Sequence, residues 1–113
     1  MKNSWREECG VFGIWNHEEA ARLAYLGLYA MQHRGQESAA IVTIHNGDHL
    51  HHKGLGVVGD VFTEPDLQRL EGRTCIGHVR YSTTGQNLLT NAQPLTAQLF
   101  NGPVAVAHNG NIV

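Results

Sequence analysis

Apolar and polar positions alternate in short runs that divide the chain into brief elements. Cys9–Trp15 alternates small and apolar residues and reads as a strand. Asn16 comes next, with Glu19 three residues on, the spacing of a helix-capping box. Leu23, Leu26, Ala30 and Met31 then recur at helical spacing. His33 and Arg34 suit the negative end of that helix, and Gly35 suits its left-handed terminator. Ala39–His45 is rich in β-branched residues and predicts a strand. Asn46-Gly47 is a strong hairpin signal because both residues tolerate positive φ, and His49–Lys53 is the expected return strand. Thr63-Glu64-Pro65-Asp66 marks a helix start, Gly72 its end, and Thr74–Arg80 a further strand. Ser82–Gln93 is polar and irregular, and Pro94 and Pro103 punctuate the C-terminal stretch. Val104–Ala107 is a short apolar strand running towards Asn109 and Gly110. Hairpins mixed with helical segments predict an α+β fold with antiparallel sheets.

Composition narrows the picture without changing it. With 113 residues the chain has room for one domain with a modest core. Its 42% hydrophobic and 16% charged residues are those of a globular protein and not a disordered one. The net charge of −2 and the absence of a Lys/Arg cluster argue against nucleic acid as a partner. No run reaches the roughly 18 apolar residues of a membrane helix, and residues 1–8 lack the apolar core of a signal peptide.

Candidate chemistry begins with Cys9, which only eight residues precede. One cut at Glu8/Cys9 would leave a residue carrying both a nucleophilic sulfur and a free α-amine. Such an amine accepts protons near neutral pH, with an ordinary pKa of about 7.7–8.0. A nucleophilic Cys9 must stay reduced, which points to a cytoplasmic setting. Asn109 and Gly110 can aim a side-chain and a backbone N–H at one developing oxyanion. Arg80, at the end of a predicted strand, can grip a carboxylate with two parallel hydrogen bonds.

Four blocks carry a family resemblance: Cys9-Gly10-Val11-Phe12-Gly13-Ile14, Arg34-Gly35-Gln36-Glu37-Ser38, Gly77-His78-Val79-Arg80-Tyr81-Ser82-Thr83-Thr84-Gly85 and His108-Asn109-Gly110-Asn111. Together they resemble the glutaminase domain of the class II glutamine amidotransferases, a group of N-terminal nucleophile hydrolases. The match is best to those members that pass ammonia to phosphoribosyl pyrophosphate to make 5-phosphoribosylamine for purine synthesis. The resemblance implies part of a four-layer αββα sandwich. It implies a pro-segment at residues 1–8, the N-terminal half of the glutaminase domain at 9–113, and a phosphoribosyltransferase domain absent from this chain.

It also implies catalytic roles for Cys9, Asn109 and Gly110, glutamine contacts from Arg80 and Thr83, and a supporting role for Arg34, whose charge can stabilise a thiolate. Glutamine is the implied substrate and phosphoribosyl pyrophosphate the implied acceptor. Mg2+ and the family's iron–sulfur cluster, if present, belong to the missing part, with no cofactor in this segment, and a homo-oligomer is expected at full length. The acid that would hold glutamine's α-amino group lies beyond Val113, so the isolated chain is expected to be inactive. Ala39-Ala40 stands where the family usually has Ala-Gly.

Two readings compete. Related glutaminases serve sugar-phosphate, aspartate or 2-oxoglutarate acceptors, from which the His78–Thr83 block distinguishes this chain. A non-catalytic fragment or binding module is the other. Gly54-Leu55-Gly56-Val57-Val58-Gly59 matches a dinucleotide fingerprint, but it lacks an apolar strand before it and a helix signal within it. His49 and His51 share one strand face, yet two ligands fall short of a zinc site, and a solvated face is expected. Cys75, beside Ile76, reads as a core thiol, and His78 and His108 as supporting residues.

Overall fold

The computed structural model describes residues 10–31, 36–81, 95–99 and 102–106. Within them lie β1 (Gly10–Trp15), α1 (Ala20–Met31), β2 (Gln36–His45), β3 (Asp48–Leu55), α2 (Val58–Val61), α3 (Glu64–Arg69), β4 (Thr74–Tyr81), β5 (Leu95–Leu99) and β6 (Gly102–Val106). Four strands form one sheet in the order β1-β4-β2-β3, and β5-β6 form a two-stranded hairpin. All these pairings are antiparallel. The expected α+β class with antiparallel sheets is therefore present.

Strand alternation gives the larger sheet two faces of different character. One carries Phe12, Ile14, Cys75, Val79, Ala39, Ile41 and Leu50, which pack with α1 and the α2–α3 segment in the main core. Helix α1 turns Ala20, Ala21, Ala24 and Leu28 into that core. The small residues bring it close: a Cβ at Gly27 would collide with the Phe12 ring. Of the expected Leu23, Leu26, Ala30 and Met31, Met31 packs against this core, but the other three do not mark the buried face, and Leu26 is left 56% exposed. Alanine and glycine give too little hydrophobic signal to mark the face that close packing selects.

Local signals place several boundaries. Asn46 and Gly47 have φ of 52° and 79°, the geometry of a twisted two-residue hairpin turn, and His45 pairs with Asp48 across it. Thr63 caps α3: its hydroxyl accepts from the Asp66 N–H, while the Asp66 carboxylate accepts from the Thr63 N–H at 2.9 Å. Helix α1 starts later than expected. Asn16 sits at φ 61° and its side chain accepts from Arg73 Nε at 3.1 Å, so it is not the cap. His17 Nδ1 instead accepts the Glu19 N–H at 2.9 Å. A long-range partner has overridden a local preference.

Two further departures bear on the sequence-based expectations. A one-turn helix, α2, does form within the glycine-rich stretch, and β3 runs into that stretch as far as Leu55. With four residues α2 is too short to be the helix of a dinucleotide fold. Second, β5 is not anticipated from the sequence pattern; Pro103 lies in its partner β6, opposite Gln98. Expectations for His33, Arg34 and Gly35 at the end of α1, and for Ser82–Gln93, concern positions outside the described residues.

Candidate functional site

The second face of the sheet carries Arg80, the expected site residue that lies within the described structure. Along β4 it presents Ile76, then His78, then Arg80; along β2 it presents Ile44, Val42, Ala40 and Ser38. Arg80 pairs with Ser38, His78 with Ala40, and Ile76 with Val42. Both strands therefore pass from apolar to small and polar residues towards the same end. Ser38, Ala40 and His78 are buried there, and Arg80 is half-buried. On this face no position of β1, β3 or β4, and none of β2 from Ser38 on, is a carboxylate. Its charge is cationic, with Lys53 of β3 in the row of Ala40 and His78.

The same end receives β1. Gly10, the residue after Cys9 in the sequence, pairs with Val79, the residue before Arg80. A register shift between Gln36 and Ser38 sets two β2 positions against one on β4 at this point. Such a bulge bends and twists its strand and re-aims the side chains beside it. The Arg34–Ser38 block, whose sequence suggests a loop, thus enters β2 from Gln36 onward. Ala40 is fully buried between His78 and Lys53 in register.

Of the site residues expected from sequence, Arg80 lies within the described structure, at the end of β4 as foreseen. Cys9, Arg34, Thr83, Asn109 and Gly110 lie outside the described residues, as do Ser82, His108 and Asn111. The union of Ser38 and His78 in one polar patch is not evident from sequence. Its signal lies in the alternation of β2 and β4, but it becomes legible only with their register.

Other candidates resolve into structure. Cys75 is buried, its thiol donates to the Ala20 carbonyl at 3.3 Å, and burial pushes its pKa up to about 12. It is a core thiol and not a nucleophile. His52 turns to the helix face, where Nε2 donates to the Val61 carbonyl at 2.7 Å and its ring lies 5.3 Å from that of Phe62. The rings of His49 and His51 are 6.3 Å apart. Burial, with Lys53 nearby, lowers the His51 pKa. No group of three or more His, Cys, Asp or Glu side chains among the described residues is placed to hold a metal. A cleft of about 420 Å³ opens at the opposite end of the sheet, between the start of α1 and the end of α3. Glu18, Glu19, Arg22 and Glu71 line it, and it contains none of the residues singled out for catalysis.

The described residues form a partial α+β domain, an antiparallel sheet with helices packed on one face and a buried polar patch on the other. No protein-family model matches the chain. Individual proteins do. The chain is 55% identical over 108 residues to the chloroplastic amidophosphoribosyltransferase of Glycine max, covering 96% of this chain and 19% of that protein. It is 50% identical to the amidophosphoribosyltransferase of Bacillus subtilis, covering 95% of this chain and 23% of the relative. The solved glutamine phosphoribosylpyrophosphate amidotransferase of B. subtilis, complexed with ADP and GMP, superposes with a TM-score of 0.75 at 45% identity. That likeness covers 86% of this chain and 21% of the solved one. The chain belongs to the amidophosphoribosyltransferase family and spans about a fifth of the length of the relatives it matches.

Proposed function

We propose that the chain forms the nucleophile-bearing, glutamine-binding part of an amidophosphoribosyltransferase. The observation that carries this reading is the match to amidophosphoribosyltransferases, about half of all residues identical along nearly the whole chain. The position of the polar patch supports it, since Arg80 stands beside the strand that Cys9 leads into.

In this reading residues 1–8 are removed, and the freed α-amine of Cys9 takes the thiol proton. Without that cut the nitrogen is an amide and cannot shuttle protons. The sulfur attacks the side-chain amide carbon of glutamine. The resulting oxyanion is held by Asn109 and by the backbone N–H of Gly110. The amine returns its proton to the leaving nitrogen, ammonia departs, and a thioester to Cys9 remains. Water then attacks the thioester, giving glutamate and the free thiol. Arg80 binds the α-carboxylate of glutamine, Thr83 adds a hydroxyl hydrogen bond, and Arg34 favours the thiolate. Ammonia displaces pyrophosphate from phosphoribosyl pyrophosphate and forms 5-phosphoribosylamine. Sheltering from water keeps ammonia unprotonated and nucleophilic on the way.

Replacing Cys9 tests this. In the full-length enzyme, Cys9→Ala is expected to abolish glutamine-dependent formation of phosphoribosylamine while supplied ammonia still supports it. Undiminished use of glutamine by that variant would end the proposal.

A further inference from the structure

We infer that His78 is a positioning residue for the glutamine site, holding Arg80 in its carboxylate-binding direction; this rests on the proposed glutaminase function. His78 is 1% exposed, among the largest fully buried side chains, yet it is not part of the hydrophobic core cluster. Alternation puts it on the face opposite α1, the face of Arg80. In its own row it is flanked by Val11 of β1 and Ala40 of β2, neither of which offers a polar side chain.

A site that needed only filling would take valine or isoleucine, as the other face of β4 does at Val79. Burying an imidazole is unfavourable unless hydrogen bonds compensate it. Among the described residues, strand register puts two polar side chains beside it on this face: Arg80, two residues on and about 7 Å along the strand, and Ser38 on the diagonal. Ser38 and Ala40 are small, so the pair of long side chains from β4 has room to lean along the strand beside them. A guanidinium backed by a fixed imidazole has fewer directions to sample before substrate arrives. That preorganisation strengthens carboxylate binding without a contact between His78 and glutamine.

The test uses the full-length enzyme with His78→Leu and His78→Asn, each alone and with Arg80→Lys. Four quantities are measured: KM for glutamine, kcat with glutamine, the rate with ammonia, and the unfolding midpoint. His78→Leu is expected to raise KM for glutamine about tenfold or more while the ammonia rate stays within about twofold. Combined with Arg80→Lys it should add far less than the product of the two single effects. His78→Asn, which keeps a side-chain donor, should recover most but not all of the KM. An unchanged KM in folded His78→Leu overturns the inference. So does a multiplicative double mutant, or a parallel fall of both reactions. If His78→Leu does not fold, His78→Asn decides: a small rise in KM that disappears in the Arg80→Lys background is expected. A rise of equal size in both backgrounds, or none in either, overturns the inference. A parent enzyme that ignores glutamine, or a Cys9→Ala variant that still uses it, would instead sink the underlying function.

Discussion

At the scale of single residues, the chain separates its two thiols by environment. Cys75 is enclosed between α1 and the sheet, and burial holds its thiol neutral until the pH nears about 12. Cys9, in the proposed mechanism, is reactive near neutral pH. Iodoacetamide at pH 8 is therefore expected to label the native processed chain once and the urea-unfolded chain twice, read by intact mass. A native chain labelled at Cys75 would contradict that enclosure. The identity of Cys75 as a core thiol is legible from its apolar neighbour in sequence. The placement of His78 on the second face is not, because a histidine flanked by Gly77 and Val79 has the same local pattern whether it faces the helix or the second face.

At the scale of elements, the short helix α3 depends on its first turn. The Asp66 carboxylate accepts from the Thr63 N–H and hydroxyl and from Arg69, and these bonds hold its pKa down to about 2. His52 stands 3.5 Å away and ties the same region to β3 through Val61. A carboxyl whose pKa is depressed on folding contributes stability above its unfolded value near 3.8, and that contribution is lost as pH falls towards about 2. The difference in unfolding midpoint between the parent and Asp66→Asn should therefore be largest near neutrality and shrink below about pH 4. A difference independent of pH would assign the effect to packing. Thr63 and Asp66 are readable as a cap because every partner lies within three residues. The start of α1 is not readable, since Asn16 is bound by Arg73, 57 residues on. β5 and the bulge before Ser38 escape for the same reason: each is defined by a partner strand.

At the scale of the whole molecule, the second face is incompletely covered. Trp15 is 80% exposed and Val11 39% exposed on β1, an edge strand of the sheet. Large exposed apolar side chains on one face commonly mark a surface that another part of a protein covers. In an enzyme of the relatives' length this face is expected to be covered. With Trp5→Phe as background, acrylamide should quench Trp15 freely in the 113-residue chain and several-fold less in the longer one. Equal quenching in both would leave this face in water. The α+β class is foreseeable from hairpin and helix signals alternating along the chain. The asymmetry between an apolar helix face and a graded, cationic second face needs three strands in register before it can be seen.

The tight turn at Asn46-Gly47 offers a practical handle. Open space surrounds Gly47, and the turn joins β2 to β3 at the end remote from Ser38, about 25 Å away along the strand. Positive φ at both turn residues makes them poor carriers, so a fluorophore or epitope belongs on the exposed Asp48 beside them, where it would report on the molecule from a distance and leave the proposed glutamine chemistry undisturbed.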